Sequence, residues 1–235
     1  MKKSKVEFLE EFFDKKGARK MKESTSLILE NFLKEREDFI PLKDKIIEAI
    51  TTLASCIRNG GKILVCGNGG SAADSEHIAG ELLKSFLLKR PIADDSRKKL
   101  VDMYGEDGEF LAKGMQGGIK CIPLTSFCAY NTAFLNDCND SLLFAQLVNT
   151  LGDKGDVLIG ISTSGNSKNV CFAEQVAKSK GMKVLSLTGA SGGKMKEFSD
   201  ILLNVHSSVV YKIQELHLPI YHQLCLCLES EIFDS

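Results

Sequence analysis

Lys62-Ile63-Leu64-Val65-Cys66 runs directly into Gly67-Asn68-Gly69-Gly70-Ser71, and Ala72-Ala73-Asp74-Ser75-Glu76-His77-Ile78-Ala79 follows. The short apolar run is the pattern of a strand buried on both faces. A helical pattern from about residue 72 to residue 88 comes after the glycines. The stretch therefore reads strand, tight loop, helix, which is the opening unit of a parallel α/β sheet.

Four further runs of the same kind lie downstream, at 119–124, 156–161, 183–187 and 200–205. Helical patterns at 141–151, 167–180 and 209–232 separate most of them. Upstream, residues 4–59 carry helical spacing: Phe8, Leu9, Phe12 and Phe13, then Leu27, Leu29, Phe32 and Leu33. Pro41 opens a further helix through Leu42, Ile46, Ile47, Ile50, Leu53 and Ala54, and Asn59-Gly60-Gly61 ends it. The expectation is one α/β domain over 1–235, with an N-terminal helical region at 1–60 and the α/β core at 61–235. Residues 90–118 break the rhythm. They are polar and turn-rich, with Leu100, Val101, Met103, Phe110, Leu111 and Met115 interspersed, and read as an insertion with a short helix at 109–115.

The 235 residues carry a net charge of -1, with 43% apolar and 26% charged residues. That balance lacks the basic excess of a nucleic-acid binder. No apolar run reaches the roughly 18–20 residues of a membrane span, and Met1-Lys2-Lys3-Ser4-Lys5 leads into Glu7, Glu10 and Glu11 rather than an apolar signal core. A cytoplasmic protein is expected. The 8 cysteines include no C-x-x-C and mostly sit in apolar stretches, which suits buried thiols.

Two loops are built for an anion. In 67–71, glycines let the backbone approach a ligand, and the next helix offers free N–H groups and the positive end of its dipole. The spacing is neither a dinucleotide fingerprint, which needs glycine where Ala72 stands, nor a P-loop, which needs Gly-Lys-Ser/Thr. A purely structural turn gives the same pattern. The second loop, Ser162-Thr163-Ser164-Gly165-Asn166-Ser167, sets four hydroxyls around a glycine at a strand's carboxyl end. A helix cap needs one hydroxyl, whereas four can saturate phosphate oxygens. Ligands in open α/β sheets settle at such strand ends.

His77 and Glu81, four apart on a helix, share a face. The spacing suits a shared metal ion or a plain surface ion pair. Ile213-Gln214-Glu215-Leu216-His217-Leu218-Pro219-Ile220-Tyr221-His222 adds two of the chain's 4 histidines. Polar groups this dense in an apolar helix serve metal binding or a buried hydrogen-bond network. Helical geometry selects Glu215 and His217 as candidates, with Glu215 and His222 nearly on one face, whereas Gln214 and His222 diverge by about 80°. Pro219 is expected to kink this helix.

These segments, with Leu187-Thr188-Gly189-x-x-Gly192-Gly193-Lys194-Met195, resemble the phosphoheptose isomerases of the sugar isomerase (SIS) family. The similarity covers roughly residue 41 to the C-terminus, apart from 90–118. The resemblance implies a single SIS domain: a five-stranded parallel sheet between helical layers, in a homotetramer with active sites between subunits. It also implies one zinc ion per subunit, held by His77, Glu81, Gln214 and His222. The implied reaction is aldose–ketose isomerisation through an enediol(ate), with Glu81 as base and His222 as acid. The implied substrate is sedoheptulose 7-phosphate, converted to D-glycero-D-manno-heptose 7-phosphate for lipopolysaccharide heptose synthesis.

By the same resemblance Ser162, Thr163, Ser164 and Ser167 hold the phosphate, Asn68, Gly69, Gly70, Ser71 and Gln214 line the site, and Asp137 meets sugar hydroxyls. Asp137 also reads as a turn aspartate. Three departures bear on which sugar fits. Ser85 stands where the family usually has arginine, beside Lys84; Tyr211 stands where it has aspartate; and the 90–118 insertion is a lid, an interface element or an idle loop. The alternatives are an isomerase of another phosphosugar and a non-catalytic SIS regulator or adaptor of the DnaA-initiator-associating type. The terminal His222, which such adaptors tend to lose, favours an enzyme.

Overall fold

The computed structural model describes residues 21–234. The spacing at Phe8, Leu9, Phe12 and Phe13 lies outside them. In chain order the elements are α1 (Glu23–Glu35), a 3-10 turn (Glu37–Leu42), α2 (Lys43–Arg58), β1 (Ile63–Gly67), α3 (Gly70–Leu83), α4 (Asp94–Tyr104), α5 (Glu106–Gly114), β2 (Cys121–Pro123) and α6 (Cys128–Asp137). A second 3-10 turn (Asp140–Leu142), α7 (Leu143–Leu151), β3 (Val157–Ser162), α8 (Lys168–Ser179), β4 (Lys183–Thr188), a third 3-10 turn (Gly193–Glu197), β5 (Ile201–Asn204) and α9 (Val210–Phe233) complete the fold.

β1 is buried throughout, as its unbroken apolar run requires. Its side chains alternate between two cores. Ile63 and Val65 join a cluster with Leu29, Ile50, Ile78 and Ile220 from α1, α2, α3 and α9. Leu64 and Cys66 join Phe144, Val148, Val170 and Ala173 from α7 and α8 on the opposite face. The result is the expected three-layer arrangement around five parallel strands, ordered β2-β1-β3-β4-β5. Ile63 faces Cys121 on one side and Val157 on the other. From β1 the chain goes first to the β2 edge and later to β3 on the other flank. The topological switch point therefore lies between β1 and β3, the place beyond whose carboxyl ends open α/β sheets take their ligands. Both glycine-serine loops leave from those two ends.

Three elements depart from the sequence pattern. α3 stops at Leu83, not near residue 88. Arg90, fully buried, donates through Nη1 to the Leu82 carbonyl at 2.9 Å and through Nη2 to that of Glu81 at 3.3 Å, ending the helical ladder. Glu229 then accepts the N–H groups of Phe86, Leu87 and Leu88 at 2.9, 2.9 and 3.1 Å. The insertion holds two helices, α4 and α5, rather than one short helix at 109–115; the α5 helix starts at Glu106. Gly105, at φ +57°, makes the joint, and Arg97 to Glu109 at 2.7 Å ties the pair. The α4 helix has no buried residue, so it lacks the apolar stripe that would have revealed it. Asn136-Asp137 ends α6 rather than forming an isolated turn. Pro41 lies inside the first 3-10 turn, and α2 begins two residues later. The α9 helix continues through Pro219 as one helix.

Among the described residues no helix is long and apolar enough to cross a membrane. All eight cysteines are free thiols; six are buried, and Cys128 and Cys138 are exposed.

Candidate active site

The first loop turns on Gly69, whose φ of +56° suits glycine, and delivers Gly70 and Ser71 into the first turn of α3. Gln214 of α9 lies against Gly70 so closely that a Cβ there would run into its amide. Ser71 is buried. Asn68 is exposed and forms a reciprocal amide pair with Asn169 in the first turn of α8, both bonds 2.9 Å. That pair joins the two loops across the switch point.

In the second loop three of the four hydroxyls converge. Ser162 Oγ lies 2.9 Å from Ser167 Oγ and 3.4 Å from Ser164 Oγ. Thr163 contributes its carbonyl, which accepts from the Gly189 N–H at 3.0 Å. A third loop braces this one from behind. Gly165 and the Gly192-Gly193 pair pack backbone to backbone, leaving no room for a side chain at either Gly165 or Gly193. The Asn166 carboxamide also accepts from the Lys194 N–H at 3.0 Å. The starts of α3 and α8 thus lie at neighbouring strand ends beside these serine hydroxyls, with the Ser71, Ala72 and Ala73 N–H groups already taken by the Asn68 and Gly69 carbonyls. The positive dipole ends of two helices and a set of hydroxyls form a setting that suits an anion.

A second cluster forms farther along α3. His77 Nε2 lies 3.3 Å from Glu81 Oε1 and 3.4 Å from His222 Nε2. Lys84 pairs with the other oxygen of Glu81 at 3.1 Å. The rings of His77 and His222 meet edge to face at 4.9 Å, and Phe86 tilts over His222 at 5.7 Å. Burial holds His222 below the ordinary imidazole range; His77 adds to the effect and Glu81 opposes it. A carboxylate and two imidazoles in one cluster, with His77 between Glu81 and His222, are groups able to accept and donate a proton.

The structure brings Glu81, His77 and His222 together, and groups Gln214 with Gly70. It does not bring these two groups together within one chain. The α9 helix runs alongside α3 in the same direction, so Gln214 and His222 are separated by about 12 Å of helix rise. Asp137 joins neither group; it is exposed, and its carboxylate accepts from the neighbouring Asn136 amide at 2.8 Å. Tyr211 is exposed in the first turn of α9. Ser85 donates its N–H to Gln116 and accepts from the Arg90 N–H. The residues that helical geometry alone selects fall elsewhere. His217 is fully buried, bonds the Thr188 carbonyl at 3.2 Å, and is driven by burial down to about 4, so it is a neutral core histidine. Glu215 opens onto a surface hollow with Arg36, His206 and Lys212.

Zinc suits the donors that meet. A tetrahedral ion with bonds of about 2.0–2.1 Å spaces its ligands about 3.3 Å apart, matching the His77–Glu81 and His77–His222 separations. Among the described residues, however, no three His, Cys, Asp or Glu side chains close into a complete cation-holding group. A cation placed at these two edges would need further donors from outside the cluster.

Sequence reasoning missed Tyr221 and Asp74. The Tyr221 hydroxyl lies 3.1 Å from His77 Nδ1 and donates to Asp74 Oδ1 at 3.2 Å. Burial raises both groups from their ordinary values. The signals available were Tyr221 preceding His222 and Asp74 standing three before His77.

A family model described as SIS domain matches residues 26–97 and 131–189. A phosphoheptose isomerase of Helicobacter pylori (strain P12) is 40% identical over 207 residues, covering 86% of this chain and 94% of the relative. The structure is similar to that of a phosphoheptose isomerase from Neisseria gonorrhoeae, at 33% identity and TM-score 0.67, covering 88% of this chain and 98% of that one. It is also similar to one from Francisella tularensis, at 32% identity and TM-score 0.69, covering 88% and 97%.

Proposed function

Because the chain belongs to the SIS domain family, among its phosphoheptose isomerases, we propose that it converts sedoheptulose 7-phosphate to D-glycero-D-manno-heptose 7-phosphate. It is a phosphosugar isomerase. The observation that carries the mechanistic reading is the meeting of His77 Nε2 with Glu81 Oε1 and His222 Nε2.

Glu81 takes a proton from C1 of the ketose, leaving an enediolate. The hydroxyl proton shifts from O1 to O2, His222 in its imidazolium form gives a proton to C2 to complete the aldose, and the proton held on Glu81 then passes to His222, restoring both groups. Ser162, Ser164 and Ser167, with the positive dipole ends of α3 and α8, hold the phosphate and orient the chain for this transfer. Asn68, Gly69, Gly70, Ser71, Thr163 and Gln214 line the same crevice, and Asp137 is the further candidate for a sugar hydroxyl.

One chain does not complete the site. Glu81 stands about 16 Å along α3 from Gly70. The six C–C bonds of a heptose, at roughly 1.5 Å each, reach at most about 9 Å. In our reading the loops of one copy face the His77–Glu81–His222 cluster of another, in a homotetramer. Zinc would be held by His77, Glu81 and His222, with Gln214 supplied by a second copy. When bound, it would polarise the oxygens on C1 and C2. The free thiols suit a reducing, cytoplasmic setting.

The test is Glu81→Gln. Turnover of sedoheptulose 7-phosphate should disappear while calorimetry still shows sugar-phosphate binding; turnover at the wild-type rate would remove Glu81 as the base. Chelation should lower wild-type activity and added zinc restore it, whereas indifference to chelators would remove the metal.

A further inference from the structure

We infer that the buried Arg90–Glu229 pair is a positioning device for the reactive cluster, holding the end of α3 that carries Glu81 against the part of α9 that carries His222. The inference rests on the reading of Glu81 as the base.

The last four carbonyls of a helix lack partners within it. The α3 helix ends at Leu83, so Glu81 stands in that last turn. If the helix continued, the Ser85 N–H would bond the Glu81 carbonyl and the Phe86 N–H would bond the Leu82 carbonyl. Both are diverted. Ser85 donates to the Gln116 side chain at 2.9 Å, and Phe86 donates to Glu229 Oε1 at 2.9 Å. Arg90 supplies the replacements. Its Nη2 donates to the Glu81 carbonyl at 3.3 Å and its Nη1 to the Leu82 carbonyl at 2.9 Å, where the Ile119 N–H joins at 2.8 Å. A guanidinium presents its donors in a rigid planar fork, so gripping two successive carbonyls fixes the orientation of the last turn.

The fork is itself held. Its Nε donates to Glu229 Oε1 at 2.6 Å, and the guanidinium carbon lies 4.8 Å from the Phe233 ring centre. Both charged side chains are fully buried. Glu229 stands seven residues after His222 on α9, two turns along the same face. The Glu229 carboxylate also accepts the N–H of Phe86, whose ring tilts over His222 at 5.7 Å. One pair of charges therefore ties together the turn bearing Glu81, the ring packed on His222 and the helix bearing His222. Arg90 reaches Glu81 through its carbonyl, not its carboxylate, so the pair acts through backbone position.

The experiment compares the full-length chain in its native assembly with an Arg90→Met, Glu229→Gln double variant and with Arg90→Lys. The double variant removes both charges together and leaves neither buried alone. Arg90→Lys keeps a charge facing Glu229, but its single nitrogen cannot grip both carbonyls as the fork does. Steady-state kinetics well below each Tm should show kcat lower by about ten- to a hundredfold, the scale of a small misplacement of a reacting group, with KM within about twofold. Amide hydrogen exchange, read without substrate, should quicken about tenfold or more at Leu82 and Leu83 and stay unchanged at Ser75 in the middle of α3. A pair that only stabilises the fold would lower Tm while kcat per folded assembly stayed at the wild-type level, and that result would overturn the inference. So would unchanged exchange at the end of α3, or loss of the folded assembly in both variants, which would assign the pair to stability alone. The exchange readout needs no turnover, so failure here is distinct from failure of the Glu81 assignment, which turnover in Glu81→Gln would reveal.

Discussion

At its first turn α3 carries Gly70 and Ser71 against the amide of Gln214; two to three turns later it carries His77 and Glu81 against Tyr221 and His222. The first end works through backbone. Glycine gives the close approach, and the positive end of the helix dipole favours an anion. The second end works through side chains from two helices remote in sequence. In the proposed function the first end binds and the second reacts. The structure keeps them on opposite sides of about 16 Å of helix.

The largest effect that sharpens this contrast is at the reactive end. Glu81→Gln should lower kcat by roughly a thousandfold, the scale of general acid–base catalysis, with little change in KM. At the binding end Ser164→Ala should do the reverse. Removing one hydroxyl from a charged phosphate should raise KM about tenfold while leaving kcat nearly unchanged. Steady-state kinetics on both variants separates the two ends; matching losses in kcat would erase the distinction.

The smallest effect concerns what lies behind the binding end. Glu174 of α8 is fully buried, held by one hydrogen bond of 2.6 Å from Ser186, and burial raises it to about 8 from 4.5. The folded chain therefore holds this proton more tightly than the unfolded chain does. The associated stability is full below about pH 4.5 and is lost as pH rises through about 8. Glu174→Gln should flatten that slope, raising Tm at pH 9 by a few degrees relative to wild type and less at pH 5. Equal shifts at both pH values would show that Glu174 is not the titrating group. Glu229 is equally buried and behaves in the opposite way. Burial works against its charge, but the N–H groups of Leu87, Phe86 and Leu88 and the Arg90 guanidinium outweigh burial and lower it.

The same contrast explains what could be read from sequence. β1 and β3 announce themselves as unbroken apolar runs, and the loops after them carry their glycines and serines in plain order. Each of those signals is local. The end of α3 was not readable, because Phe86, Leu87 and Leu88 continue its apolar pattern while the interaction that stops it comes from Glu229, more than 140 residues away. Tyr221 was overlooked because its partners depend on α9 lying parallel to α3. His217 attracted attention as a polar residue in an apolar helix, yet it is a core residue whose Nε2 bonds the Thr188 carbonyl and whose Nδ1 is buried without a partner among the described residues. The α4 helix was hidden because a helix with no buried side chain leaves no periodic trace.

In the proposed homotetramer the serine loops of one copy work with the His77–Glu81–His222 cluster of another. Co-expression of Glu81→Gln with a Ser162→Ala, Ser164→Ala double variant tests it directly, because each parent lacks one half of every site. Mixed assemblies pair an intact crevice with an intact Glu81, and should recover isomerase activity well above either parent. Mixed assemblies no more active than the parents would contradict the claim and place both halves in a single chain.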